Sequence, residues 1–94
     1  MKLESETYDS VWDALEDTVA DAETMKARSD LMIGLQEHIR GWNLPLAEAA
    51  KRLGLTRPRL DDLMKGKIDR FSLEAMVAIL PAAGLTMRME LRAA

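Results

Sequence analysis

Between residues 46 and 65 the chain reads LAEAAKRLGLTRPRLDDLMK, two short helical patterns hinged on one glycine. Few folds accommodate that spacing. Pro45 suits the first turn of a helix over about 45–53, and Gly54 can take the left-handed backbone that closes it. Thr56 is a good N-cap for a second helix over about 57–65, with Pro58 in its first turn and Gly66 at its end. For two helices to meet steeply across so short a turn, a small residue must sit in the first, and Ala50 does. Leu53, Leu55, Leu60 and Leu63 then face a common core. An ordinary helical hairpin in a small bundle meets the same packing conditions, so the outward face has to decide between the two.

With Leu60 and Leu63 inside, Thr56, Arg57, Arg59 and Lys65 project outward, and the following loop adds Lys67 and Arg70. A helix in the major groove presents base-reading groups from its first turns, while flanking cations neutralise phosphates. Arg57 or Arg59 suits a bidentate contact to a guanine edge, and Thr56 suits a phosphate or a base. Lys65, Lys67 and Arg70 read as sequence-blind phosphate contacts. The formal net charge of −3 opposes this reading, but its distribution does not. Residues 1–23 hold eight acidic residues and one lysine, whereas residues 40–70 hold eight basic and four acidic ones. An acidic arm and a basic centre make two faces.

Around this pair the elements are plainer. Ser10 suits the cap of a short helix over 11–16, and Met25, Leu31, Met32, Leu35 and Ile39 recur at helical spacing over about 22–41. Ser72 opens a fifth helix with Leu73, Met76, Val77 and Leu80 on its apolar face; Pro81 should end or kink it, and Gly84 closes the segment. The tail changes period. Leu85, Met87, Met89 and Leu91 alternate with Thr86, Arg88, Glu90 and Arg92, as in a strand. A solitary strand leaves backbone groups unpaired. The expected partner is the same segment of a second chain, forming an antiparallel ribbon with Leu85, Met87, Met89 and Leu91 at the dimer interface. The alternatives are a strand lying on its own domain and a frayed tail. The expected organisation is an acidic arm with a short helix at 1–21, then a DNA-binding domain with its dimerisation strand at 22–94.

Composition closes off other classes. There is no cysteine, and the single histidine, His38, cannot build a zinc site alone. One histidine without a nucleophilic partner offers little for catalysis, so no enzyme, metal or cofactor is expected. No apolar run approaches the roughly 20 residues of a membrane span, and the acidic N-terminus lacks the shape of a signal peptide. A cytoplasmic location is the expectation.

The segments VWDALEDT, MKARSDLM, AEAAKRLGLTRPRLDDLMKGKIDRFSLEAM and GLTMRMEL together resemble the Cro/CI-type (XRE) helix-turn-helix family, and more narrowly the HigA-like antitoxins. The likeness covers about residues 11–91. It implies a mainly α, five-helix lambda-repressor-like domain whose C-terminal β-strand pairs across a homodimer. It also implies a repressor of its own operon that masks a basic RelE/HigB-like ribonuclease toxin. The acidic arm, with Tyr8, Trp12 and Leu15 as apolar anchors, would meet such a toxin; the alternative is that Trp12 packs on the chain's own first long helix. Three positions depart from the family. Pro45 and Leu46 stand where Thr-Gln often contacts a phosphate, and Arg57 replaces a common Gln, which shifts the expected base from adenine to guanine. Asp61 occupies a usually neutral outward position. It can repel phosphate, accept from a cytosine amino group or pair with a neighbouring Arg. A free-standing repressor and a protein-interaction module that ignores DNA are the competing readings.

Overall fold

The computed structural model describes residues 10–93, with side chains from residue 21 onward. Four α-helices follow one another: α1 (Ser10–Arg40), α2 (Leu46–Leu53), α3 (Arg57–Met64) and α4 (Leu73–Ala83), with a 3-10 turn at Ile68–Arg70 before α4. The sequence predicts five helices, and the difference lies in α1. The short helix at 11–16 and the longer one at 22–41 are a single rod, because residues 11–33 contain neither glycine nor proline to break it. The expected boundary at residues 21–22 falls within that rod.

The helix ends carry most of the predicted chemistry. Gly54 (φ 71°) closes α2, and the Leu55 N–H then reaches back to the Ala50 carbonyl at 2.9 Å. The Ser72 hydroxyl accepts from the Ala75 N–H at 3.0 Å and starts α4. Two details differ. Pro45 occupies the N-cap position of α2 rather than its first turn. Pro81 does not end α4, which runs on to Ala83 before Gly84 (φ 76°) closes it. So near the C-terminus, a proline forfeits one intrahelical bond and little else.

Leu35, Leu60, Leu63, Phe71 and Met76 form the fully buried centre, joined by Met32, Ile39, Ala49, Ala50, Leu53, Ile79, Leu80 and Ala83. Met25, expected in the α1 stripe, is exposed. Phe71 is a core residue that the sequence reading passed over as basic loop. It stands just before the Ser72 cap and Met76 stands four positions after it, the spacing of a hydrophobic staple; Leu55 and Leu60 flank Thr56 in the same way.

Three polar side chains of α1 fasten the other elements by reaching backbone carbonyls at or near their ends. Arg28 donates to the Ile68 carbonyl at 2.7 Å and to the Phe71 carbonyl at 3.0 Å. Gln36 donates to the Leu63 carbonyl at 2.8 Å, near the end of α3. His38 Nε2 lies 2.9 Å from the Ala83 carbonyl, at the end of α4.

No strand occurs among the described residues. Beyond Leu85, no backbone–backbone hydrogen bond joins residues 86–93 to other described residues. A ladder needs a second strand, and the described part of a single chain contains none. No helix among the described residues is long and apolar enough to cross a membrane.

Candidate nucleic-acid interface

The seat of α3 follows from its two leucines. Leu60 and Leu63 are wholly inaccessible, so the opposite side of this eight-residue helix, carrying Arg57, Pro58, Asp61 and Lys65, faces outward. Its start is fixed by Thr56, whose Oγ1 accepts from the Arg59 N–H at 3.2 Å. That bond satisfies one of the orphan donors of the first turn and leaves the exposed hydroxyl at the mouth of the helix.

The cations beside it are not equivalent. Arg57 is exposed at the first helical position, on the seam that Leu46 of α2 makes with Pro58 and Asp61. Its guanidinium has no ion pair or hydrogen bond among the described residues. Arg59 turns inward instead. Its guanidinium lies 3.9 Å from the centre of the Phe71 ring and donates through Nη1 to the Arg70 carbonyl at 2.7 Å. A cation stacked on an aromatic face and bonded to backbone is held by about 1–2 kcal/mol, so Arg59 braces α3 against the turn that follows.

The remaining cations are paired. Lys65 meets Asp61 at 2.9 Å, one turn along α3. Lys67 and Arg70 both meet Asp62, at 3.4 and 3.2 Å. The hydrogen bond and charge of Asp61 hold the Lys65 ammonium above its ordinary pKa. Partial desolvation pushes the Asp62 carboxyl up, but the hydrogen bond and charge of Lys67, reinforced by Arg70, bring it below the ordinary carboxylate value. Asp61 therefore pairs with a lysine, where the sequence reading offered an arginine. The basic centre is in large part neutralised by its own carboxylates, and Arg57 is left as the exposed, uncommitted guanidinium at the head of α3.

Sequence reasoning missed one further cation with a structural task. Arg52 of α2 stacks over the Trp42 ring at 4.0 Å, and His38 meets the same ring edge-on. The charge of Arg52 gave no hint of this; the cue was the tryptophan just ahead of α2.

The other expected sites stand as follows. Met87, Met89 and Leu91 are exposed, at 41%, 74% and 86%, while Leu85 packs on the core. Tyr8 lies outside the described residues; Trp12 and Leu15 lie on α1, with side chains outside them. Among the described residues no three His, Asp or Glu side chains gather as a metal site.

A family model described as a helix-turn-helix domain matches residues 14–92, which takes in most of α1, all of α2 to α4 and most of the tail. No curated protein matches the chain.

Proposed function

The chain belongs to the helix-turn-helix domain family, and on that premise we propose that it is a sequence-specific, DNA-binding transcriptional repressor acting as a homodimer. The observation that carries this reading is the head of α3, where Thr56 caps a seated helix and Arg57 stands exposed and unpaired. A guanidinium so placed suits the O6 and N7 edge of a guanine. Asp61 and Lys65 lie one and two turns further along the same face. Lys67 and Arg70 would exchange Asp62 for phosphate. Arg59 serves this reading by bracing α3 rather than by touching a base. The tail of Leu85, Met87, Met89 and Leu91, whose backbone beyond Leu85 has no partner among the described residues, supports pairing with a second chain, which would present two α3 helices roughly 34 Å apart to a palindromic operator.

The resemblance to HigA-like antitoxins extends the proposal. The protein would be the cytoplasmic antitoxin of a type II pair, with the acidic arm and Tyr8, Trp12 and Leu15 neutralising a basic RelE/HigB-like ribonuclease toxin. The second reading, a protein-interaction module without DNA affinity, draws its support from the Asp61 and Asp62 pairs that mask three cations.

Fluorescence anisotropy on the DNA upstream of the gene separates the readings. The repressor binds it about a thousandfold more tightly than a scrambled duplex, with steep salt dependence. Equal affinity for both duplexes, or no binding at low salt, removes the repressor. Co-expression with a neighbouring basic ribonuclease tests the antitoxin role, and loss of protection on deleting residues 1–20 is the expected result.

A further inference from the structure

The tail carries enough information to fix how two chains would align. Exposure rises steadily along one side of it: Leu85 is partly buried on its own core, then Met87 is 41%, Met89 74% and Leu91 86% exposed. Residues 87–90 lie along a shallow groove lined by Ala27, Asp30 and Leu31 of α1 and by Leu73 of α4. So the first half of the tail rests on its own domain, while the apolar side chains of the second half run off its edge. Among the described residues, none forms a backbone–backbone hydrogen bond with residues 86–93.

We propose that a second copy of this chain covers the tail in one defined antiparallel register, with the twofold axis passing at Met89. Residues directly opposite each other in an antiparallel pair share a face and sit about 5 Å apart, so only registers that place odd residues against odd ones keep apolar side chains together. An axis at Arg88 sets arginine against arginine. An axis at Glu90 sets glutamate against glutamate and Arg88 against Arg92. With the axis at Met89, each Arg88 faces the partner's Glu90, so two opposite-charge pairs form on the outer side. On the inner side Met89 meets its own copy, and each Leu91 stands beside the partner's Met87, over the partner's groove. An axis at Leu91 also pairs opposite charges, Glu90 with Arg92, but it aligns only residues 88–94 and leaves Met87 uncovered. The gradient in exposure favours Met89, because each tail then ends on the other domain.

This register rests on the homodimer reading, and the experiment separates the two. The chain has no native cysteine, so single cysteines report unambiguously. Under mild oxidation Met89→Cys forms an interchain disulfide, whereas Met87→Cys and Leu91→Cys cross-link about tenfold more slowly alone yet readily when mixed with each other. Arg88→Glu raises the dimer dissociation constant about tenfold, and Arg88→Glu combined with Glu90→Arg restores it. The unmodified chain is measured in parallel by sedimentation. If it is dimeric but Leu91→Cys cross-links in place of Met89→Cys, or the charge exchange fails to restore affinity, the register is wrong and the homodimer stands. A chain monomeric at micromolar concentration overturns both.

Discussion

Arg57 and Arg59 are two residues apart and chemically identical, yet the fold assigns them opposite fates. Arg59 is spent on Phe71 and the Arg70 carbonyl, and Arg57 is left in solvent. Substitution should tell them apart. Arg57→Ala is expected to leave thermal stability unchanged and to cost about 1–3 kcal/mol of discrimination at one base pair. Arg59→Ala should lower stability by about 1–2 kcal/mol in urea unfolding. Arg59→Lys should not repair it, since an ammonium lacks the planar fork that both stacks and donates. The Asp62 carboxyl makes a pH-dependent case. Its folded pKa lies below the unfolded one, so its stabilising contribution is complete above the unfolded value and is lost as pH falls through the folded value. Stability should therefore drop below about pH 4, and Asp62→Asn should flatten that part of the profile. On DNA the same substitution frees Lys67 and Arg70, so affinity for any duplex should rise and the salt slope should steepen by about one to two. An unchanged slope would show that neither cation reaches phosphate.

Among the elements, the joint between α3 and α4 bears more of the structure than its length suggests. Phe71 is fully buried there and carries Arg59 on its ring, and its carbonyl accepts from Arg28. Phe71→Ala should cost about 3–5 kcal/mol, enough to unfold a chain of this size, and a calorimetric midpoint near the wild-type value would count against this hub. Ser72→Ala should cost about 1 kcal/mol through the lost cap. These elements divide sharply in how legible they were beforehand. Gly54, Thr56, Ser72 and Gly84 act through rules confined to a few neighbouring residues, so their roles could be read directly. The Leu60 and Leu63 seat follows from helical period alone. Phe71 has no periodic companions and sat among charges, so only the staple spacing to Met76 could have betrayed it. The tethers from Arg28, Gln36 and His38 span dozens of positions, and no local rule links a side chain in α1 to a carbonyl at the end of α3, at the end of α4 or in the turn between them. The same limit applies to the basic cluster, whose members were visible as charges while their internal pairing with Asp61 and Asp62 was not.

For the whole molecule, the excess of acid over base obscures a division of labour between the two ends. The proposed DNA-facing side has, among the described residues, Arg57 without an ion pair and three cations on short loan to carboxylates, which would favour modest non-specific affinity and leave more of the selectivity to base contacts. Such a surface profits from doubling, because a dimer doubles contacts too sparse to hold a duplex alone. Removing residues 85–94 should therefore give a monomer by sedimentation and weaken operator binding by at least about a hundredfold, while α1 to α4 stay folded. The family match includes the tail up to residue 92, in keeping with a segment that belongs to the working unit.

The length of α1 has its own consequence. Among the described side chains of α1, Arg28 is the first tied to the body by a hydrogen bond, and from Ser10 to that point the helix rises about 27 Å. On the proposed antitoxin reading, a partner held at the start of that rod would sit well along α1 from the point where the helix is fastened. Cargo and duplex would then have separate room, and one could be taken up without the other being dropped.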